Sequence, residues 1–347
     1  MHNHNMLEVN NLSKNFAGTG RETEFAAVDG ISFTLDAGEC LGLIGESGCG
    51  KSTTARLITG FVQADAGSVL LEGEEILGRK GRRQREVYRK IQMVFQTPQD
   101  SFDPMQTLET GILEAFRNQG MSRKEACLHL PELLKKVELS SETAMRYPRE
   151  TSGGECQRAA IARALAVQPS LLICDEATSA LDPKTTRSVL SLIKDINRKM
   201  GITVIVITHQ MSVVEEICNK VSILDHGTVV EQGTVSTVFS RPKSEAAKRL
   251  VFPDGIADTL PIKEGEHHIR VVFNGADAAN TPLIAKLAME THIAANILGA
   301  NTKSIEGKAY GNMLLGISGD ENTLQQAIAY LQKIDDIIVE EVSAHVR

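Results

Sequence analysis

Two short and almost wholly apolar stretches interrupt the mixed polar pattern of the chain, at residues 171–174 and 202–207. Such runs are typical of strands in a parallel sheet, which is buried on both of its faces. Strand-like runs, Gly-rich turns and helical segments alternate around them over residues 7–95 and 155–240. This alternation predicts an α/β core built on a parallel sheet.

The region between these two stretches of alternation has a different period. Residues 105–150 have few β-branched runs, and apolar side chains recur there at helical spacing. The positions that show this spacing are Leu128, Leu130, Leu133, Leu134 and Val137. We therefore expect a helical insertion in the core, over about residues 97–165.

The pattern breaks after residue 240, and a second region begins near residue 266. Residues 241–265 contain Pro242, Pro253 and Pro261, mixed charge and little periodicity, which together predict a linker. Beyond the linker, strand-like alternation and two amphipathic helices follow in the order β-α-β-β-α-β. That order is the ferredoxin-like arrangement. The sequence thus predicts an α/β core over residues 1–240 and a C-terminal ferredoxin-like α+β domain over residues 266–347.

Single elements of the C-terminal domain can also be located from the sequence. Thr281 followed by Pro282 predicts the start of a helix, with the proline at the first helical position. Alternating apolar residues predict strands at Ile269, Val271 and Phe273 and at Met313, Leu315 and Ile317. Further strands are expected near residues 294–300 and at residues 337–342.

Composition and charge argue against several classes of function. The 347 residues carry a formal net charge of −7, only 4% are aromatic and tryptophan is absent, so we expect no nucleic-acid partner. No apolar run approaches the ~18 residues that a membrane span needs, and the first ten residues lack a signal-peptide pattern. Six cysteines occur without a CxxC pair, so we interpret them as reduced thiols. The protein is therefore expected in the cytosol.

The clearest motif is GESGCGKST at residues 45–53, which fits the pattern G-x-x-x-x-G-K-[ST] between a strand and a helix. The backbone N–H groups of such a loop wrap phosphate oxygens at the N-terminus of the helix. Lys51 is expected to reach the β- and γ-phosphates of ATP, and Ser52 to bind Mg²⁺. The predicted nucleotide-binding loop consists of Gly45, Glu46, Ser47, Gly48, Cys49, Gly50, Lys51, Ser52 and Thr53.

Two carboxylates follow the first apolar strand. Asp175 ends the run LLICDE at residues 171–176, where it can hold Mg²⁺, and Glu176 comes next. A carboxylate at that place can orient or deprotonate the water that attacks the γ-phosphate. The sequence thus predicts an ATPase that uses Mg²⁺.

Further motifs resemble those of the ATP-binding cassette (ABC) ATPases. The segment TSGGECQ is similar to the signature motif LSGGQ, with Thr151 in place of leucine and Glu155 in place of glutamine. Gln96 in MVFQTP resembles the glutamine of the Q-loop, and SALD at residues 179–182 resembles the D-loop. His209 resembles the switch histidine, and Phe16 stands where the family stacks an aromatic ring on adenine. The resemblance covers about residues 7–240 and implies a P-loop ABC ATPase core.

The resemblance also implies roles for single residues. In this family, the signature loop of one cassette caps the γ-phosphate of ATP that is bound to the other cassette. The implied ATP contacts beyond residues 45–53 are Phe16, Ser152, Gly153, Gly154 and Asp182. The implied catalytic residues are Glu176, His209 and Gln96, and the implied Mg²⁺ ligands are Ser52, Gln96 and Asp175.

Partners follow from the same resemblance. One chain holds one cassette, so a second copy, or a closely related cassette in a heterodimer, is expected to complete the pair of ATP sites. A transporter ATPase without its own membrane span docks on separate multi-span permease subunits, in a groove between the core and the helical insertion. The protein is therefore expected as a peripheral subunit at the cytoplasmic face of the cell membrane. An extracytoplasmic substrate-binding protein would act through the permease.

The transported substrate has two candidate classes. Residues 91–107 and the segment SGGECQR look like those of peptide and nickel importer ATPases. Residues 175–211 and 229–244 look like those of methionine importer ATPases. Residues 266–347 resemble the NIL domain at the end of methionine importer ATPases, and this favours methionine. The peptide or nickel importer stays open as the alternative, and a non-transport ABC ATPase is a further one.

The NIL resemblance rests on Asn296, Ile297 and Leu298 together with the β-α-β-β-α-β pattern. In the family, paired NIL domains bind methionine and hold the cassettes apart, which implies feedback inhibition. Asn296 would hydrogen-bond the amino acid end of methionine, and Ile297 and Leu298 would pack on its thioether. The alternative is a domain that stabilises the dimer and binds no ligand.

Overall fold

The computed structural model describes residues 5–17, 25–78, 81–240, 242–251, 265–274, 282–305 and 308–342. The chain divides into two compact units, Met1–Gly233 and Thr234–Arg347. Pro253, Pro261 and Thr281, which served above to predict the linker and a helix start, lie outside the described residues.

The first unit alternates strands and helices as the sequence predicts. Its strands are β1 (Asn5–Phe16), β2 (Phe25–Asp36), β3 (Cys40–Ile44), β4 (Ala66–Leu71), β5 (Glu74–Glu75), β6 (Ile91–Val94), β7 (Leu171–Asp175), β8 (Thr203–Thr208), β9 (Lys220–Asp225) and β10 (Thr228–Thr234). Its helices are α1 (Lys51–Ile58), α2 (Arg82–Lys90), α3 (Leu108–Asn118), α4 (Arg123–Lys136), α5 (Ser141–Ala144), α6 (Gly153–Leu165), α7 (Pro183–Met200) and α8 (Met211–Ile217).

The predicted parallel sheet has six strands in the order β10-β9-β3-β8-β7-β6. The pairs β3–β8, β3–β9, β7–β8 and β6–β7 are all parallel. Strands β3, β7 and β8 are buried along their whole length, because helices cover both faces of such a sheet. A second sheet, with the order β2-β1-β4-β5 and antiparallel pairing, was not expected from the sequence.

The predicted helical insertion contains α3 to α6, and polar caps mark where its helices begin. Thr107, Ser122, Ser140 and Ser152 each accept a hydrogen bond at the N-terminus of one helix. The positions with helical spacing lie on α4 and at its C-cap, Val137. Leu130, Leu133, Leu134 and Val137 are buried, whereas Leu128 is 75% exposed.

The second unit contains the predicted β-α-β-β-α-β order. Its elements are α9 (Val235–Ser240), α10 (Glu245–Val251), β11 (Glu266–Asn274), α11 (Leu283–Thr291), β12 (Ala295–Ile305), β13 (Lys308–Ser318), α12 (Glu321–Leu331) and β14 (Ile337–Val342). The sheet has the order β12-β13-β11-β14 with antiparallel pairing, which is ferredoxin-like. Leucine, isoleucine and valine side chains from the sheet and from α11 and α12 form its core.

Three details of this unit differ from the sequence-based expectation. Helix α10 lies inside the segment predicted as a linker, and its buried Ala246, Ala247 and Val251 explain its stability. Pro282 is the N-cap of α11 rather than its first helical residue. Strand β12 extends five residues beyond the predicted end at residue 300.

All six cysteines are free thiols, and only Cys127 is exposed. No helix among the described residues is long and apolar enough to cross a membrane. The described residues also contain no cluster of three or more His, Cys, Asp or Glu side chains suited to a metal ion.

Candidate functional site

The candidate nucleotide-binding loop connects the buried end of β3 to the first turn of α1. Glycine is required at both ends of the loop. A Cβ atom on Gly45 would lie 2.2 Å from the carbonyl oxygen of Leu224, and one on Gly50 would lie 2.3 Å from that of Ala27. Gly50 also has a φ of 104°, in the region that favours glycine. Between them, Ser47 and Gly48 are exposed at the tip of the loop.

Lys51 lies almost fully inside this loop. Its side chain is 5% exposed, and its Nζ donates to the carbonyl oxygens of Gly45 and Glu46 at 2.8 and 2.7 Å. The Cys49 thiol lies 3.7 Å from the same nitrogen, and burial raises the pKa of Cys49 while Lys51 lowers it. Carbonyl oxygens therefore hold a desolvated ammonium group at the N-terminus of a helix, where anions bind favourably.

Ser52 and Asp175 meet although 123 positions separate them in the chain. The Ser52 hydroxyl donates to Oδ1 of Asp175 at 2.9 Å. Asp175 ends strand β7 and is only 6% exposed. Burial raises the pKa of Asp175 above its ordinary value, and the neighbouring Glu176 adds to this, whereas the hydrogen bond from Ser52 opposes it.

The side chains of Ser52 and Asp175 fit a magnesium ion. Mg²⁺ prefers hard oxygen ligands and, beside a nucleotide, takes only one or two of them from the protein, with phosphates and water supplying the rest. A hydroxyl and a carboxylate oxygen 2.9 Å apart at the loop provide such a pair.

Glu176 follows the same strand in a strained conformation. Its φ is 46°, which is rare for a residue other than glycine, and its N–H donates to the carbonyl oxygen of Ile207 at 2.9 Å. Its Oε1 lies 3.3 Å from Nδ1 of His209, which follows strand β8. Strain of this kind is often found at functional sites. The structure thus brings together Glu176 and His209, two residues for which the resemblance implies a catalytic role.

Gln96 is connected to Glu176 through a residue that the sequence analysis did not single out. Gln96 Nε2 donates to the Ser179 hydroxyl at 3.2 Å, and that hydroxyl donates to the carbonyl oxygen of Glu176 at 3.0 Å. Ser179 lies in the SALD segment, but its neighbour Asp182 was the residue chosen there. No local sequence signal distinguishes Ser179, because its role depends on a contact over 83 positions.

The signature segment lies at the N-terminus of α6. Ser152 is the exposed N-cap of this helix, and no hydrogen bond in the described part of the chain joins it to residues 45–53. Gly154 packs closely, since a Cβ atom there would lie 2.3 Å from Cγ2 of Thr185. A Cβ atom on Gly153 would lie 3.0 Å from Leu181.

Two other predicted ATP contacts have local partners. The Asp182 carboxylate caps α7 by accepting from the N–H groups of Lys184 and Thr185. Hydrogen bonds from the Thr185 side chain and then from the Thr185 N–H lower the pKa of Asp182. Phe16 lies at the end of β1, with its ring centre 6.0 Å from that of Phe25. The sequence analysis did not mention Phe25, whose side chain is 56% exposed.

The three residues of the candidate regulatory site lie on β12, at an edge of the second unit's sheet. Asn296 and Ile297 are adjacent in a strand and therefore point to opposite faces. The register of pairing between β12 and β13 shifts between Ile297 and Gly299. The Leu298 side chain lies beside Gly316, the residue of β13 that pairs with Asn296. Asn296 and Leu298 thus share a face, and a ligand could contact all three residues only across the edge of the strand.

Two protein families match this chain, one in each of its two units. Residues 28–179 match the ABC transporter family, and residues 267–341 match the NIL domain family. The methionine import ATP-binding protein MetN 3 of Oceanobacillus iheyensis is 38% identical over 98% of this chain and 99% of its own length. The methionine import ATP-binding protein MetN of Mesorhizobium japonicum is 41% identical over 88% of this chain and 85% of its own.

Solved structures resemble the first unit. The dimeric ATP-binding cassette MJ0796, in a post-hydrolysis state with ADP and phosphate, is 29% identical with a TM-score of 0.61. The alignment covers 66% of this chain and 99% of that one. The predicted resemblance and fold class are confirmed. The chain therefore belongs to the MetN family of ABC transporter ATPases, with an ATP-binding cassette followed by a NIL domain.

Proposed function

We propose that this chain is the ATP-hydrolysing subunit of an importer that takes up methionine through a separate permease. One observation carries the proposal: the likeness to methionine import ATP-binding proteins extends over nearly the whole chain, NIL domain included. The peptide or nickel importer, by contrast, rests on short motifs such as residues 91–107. A likeness that extends over nearly the whole chain supports an assignment of the substrate better than one that is limited to short motifs.

ATP would bind with its phosphates against residues 45–53. The N–H groups of the loop and the helix N-terminus favour the phosphate charge, and Lys51 is held where it can turn toward the β- and γ-phosphates. Ser52 and Asp175 would hold Mg²⁺, which neutralises phosphate charge when it is bound. Phe16 would offer an aromatic surface to the adenine ring.

Glu176 would act as the general base for hydrolysis. Its carboxylate accepts a proton from water, the water oxygen attacks the γ-phosphorus, and ADP leaves with the electrons of the broken P–O bond. His209, at 3.3 Å from Oε1, fixes the orientation of that carboxylate. Gln96 follows strand β6 and is linked to Glu176 through the Ser179 hydroxyl. A movement of β6 would therefore change the position of Glu176.

A second copy of the chain would complete each ATP site. Ser152 is exposed and, in the described part of the chain, no hydrogen bond joins it to residues 45–53, which fits a segment that faces the nucleotide of a partner subunit. The related cassette MJ0796 is described as dimeric. Closure would then require ATP, because the γ-phosphate contributes to both halves of the interface.

A groove lined by Gln92 of β6 is the proposed docking place for the permease. It has a volume of about 670 Å³ and lies between α2 and β6 on one side and α3 and α6 on the other. Its charged lining consists of Arg85, Arg89, Arg163 and Glu114. This positive balance would suit a permease segment with an acidic side chain. Such docking would hold the protein at the cytoplasmic face of the membrane, with the substrate-binding protein on the other side.

The NIL domain would provide feedback by methionine. Asn296 offers a donor and an acceptor to the amino acid end, while Leu298 and the 57% exposed Ile297 offer apolar surface to the thioether. Methionine held between paired domains would favour the separated cassettes. At ~100 times its dissociation constant, it would stabilise that state by up to ~2.7 kcal/mol per site.

The first prediction concerns the buried charge of Asp175. In Asp175→Asn the amide removes a desolvated carboxylate, so the nucleotide-free chain should gain stability toward urea while losing Mg²⁺-dependent ATPase activity. The folded state binds the Asp175 proton more tightly than the unfolded state does. The stability advantage of the variant should therefore be small in acid and grow as the pH rises through the raised pKa. An equal advantage at all pH values would contradict this account.

The second prediction concerns Glu176. Glu176→Gln keeps the size of the side chain but removes the base, so turnover should fall by about 10²- to 10⁴-fold with nearly unchanged ATP affinity. ATP should then accumulate in a long-lived dimer, visible by size-exclusion chromatography. Hydrolysis at the wild-type rate would exclude Glu176 as general base.

The third prediction tests the transported substrate. The chain should co-purify with a multi-span permease, and methionine-loaded binding protein should raise the ATPase rate of the reconstituted complex. Peptide-loaded or nickel-loaded binding protein should leave the rate unchanged. Stimulation by either of those, and not by methionine, would support the alternative importer. Stimulation by DNA or ribosomes, with no permease bound, would move the protein to another class.

The fourth prediction concerns feedback. Millimolar methionine should lower the transport-coupled ATPase rate, and Asn296→Ala should relieve this inhibition. Met289→Ala, at a 78% exposed position on α11, is the matched control and should keep full inhibition. Calorimetry should detect methionine binding to the full chain but not to the Asn296→Ala variant. Binding of equal strength to both would remove Asn296 from the site.

A further inference from the structure

Glu155, which stands where the family signature has glutamine, is bound to the serine of the same segment. The N–H and the hydroxyl of Ser152 both donate to Oε2 of Glu155, at 2.8 and 2.9 Å. The N–H of Glu155 in turn donates to the Ser152 hydroxyl oxygen at 3.3 Å. These three hydrogen bonds form a capping box at the start of α6.

The capping box occupies the one proton that the Ser152 hydroxyl can donate. A serine hydroxyl has a single O–H donor, and here that donor points to a carboxylate oxygen. Hydrogen bonds to charged acceptors are stronger than those to neutral ones. To donate to a phosphate oxygen, Ser152 must first release Glu155, and this costs more than release from a neutral amide.

The carboxylate also carries charge close to where a phosphate would lie. A phosphate oxygen that accepts from the Ser152 hydroxyl would lie within about 6 Å of Oε2, because the Oγ–Oε2 distance is 2.9 Å. Hydrogen bonds from Ser152, the backbone one first, lower the pKa of Glu155, so the group is ionised at neutral pH. Arg146, the basic residue that also lowers this pKa, forms an ion pair with Glu142 at 3.0 Å.

We propose that Glu155 is a positioning residue that holds Ser152 in the open state and weakens ATP-dependent closure of the dimer. The inference rests on the proposed function of a dimeric ATPase whose signature segment faces the partner's nucleotide. Two like charges ~6 Å apart repel enough to change an equilibrium constant by ~3-fold in water and ~100-fold near a protein surface. Glu155 is therefore expected to raise the dissociation constant of the ATP-bound dimer by about tenfold per site, and by about 100-fold for the two sites of a symmetric dimer.

The chain contains a matched control for the substitution. Ser122 and Glu125 form a capping box at the start of α4 with nearly the same distances, 2.9, 2.8 and 3.3 Å. Glutamine can replace glutamate in a capping box, since its carbonyl oxygen still accepts from the N-cap N–H. Glu155→Gln and Glu125→Gln therefore perturb their helices alike, but only Glu155 adjoins the signature serine.

The experiment uses the full chain with Glu176→Gln, so that ATP persists. The dissociation constant of the dimer is measured by analytical ultracentrifugation in saturating Mg·ATP. Adding Glu155→Gln should lower this constant by about 100-fold at 0.1 M salt, whereas adding Glu125→Gln should change it by less than about twofold. At 1 M salt, where the Debye length is only about 3 Å, the effect of Glu155→Gln should shrink to a few-fold.

The outcomes separate this inference from the proposed function. Equal constants for Glu155→Gln and Glu125→Gln would overturn the inference, and the dimeric ATPase would stand if Ser152→Ala still weakened the dimer. If no variant associated in ATP, both proposals would fail together. A similar gain from both substitutions, insensitive to salt, would indicate helix stability rather than control of Ser152 and would also overturn the inference.

Discussion

Parallel pairing of three neighbouring strands, β3, β8 and β7, is the constraint on which the candidate site depends. Ile44 pairs with Thr208, and Ile207 pairs with Asp175, so the three strands end at one edge of the sheet. Adjacent strands lie only about 4.8 Å apart. Segments that are distant in the chain therefore meet there, and Ser52 reaches Asp175 across 123 positions.

The arrangement at that edge has an energetic cost. It contains an ammonium group that is 5% exposed, a carboxylate that is 6% exposed and a glutamate with a φ of 46°. Backbone strain alone costs on the order of 1–3 kcal/mol at such a residue. The surrounding strands, which are apolar and fully buried, offset this cost and keep the charged groups in place. Groups held in this way are ready to respond to phosphate and metal charge.

Communication with other proteins would pass through short connections. Strand β6 contributes Gln92 to the groove and is followed by Gln96, which joins Glu176 through Ser179. If a permease segment docks in the groove as proposed, its movement would reach Glu176, the proposed general base, through two hydrogen bonds. At the proposed interface with a second copy, Glu155 would set how readily the Ser152 hydroxyl donates a hydrogen bond to the nucleotide that the partner binds.

The sequence by itself determined the α/β core, the helical insertion, the ferredoxin-like domain and the identity of the phosphate loop and its carboxylates. These depend on local periodicity and on short motifs, which act through nearby backbone sterics. It could not reveal that Leu128 is exposed, that Glu245–Val251 is helical or that Ser179 bridges Gln96 and Glu176. Nor could it show where the pairing of β12 with β13 shifts, between Ile297 and Gly299. Only the tertiary structure decided these points, because strand order, pairing register and burial depend on contacts between residues far apart in the chain.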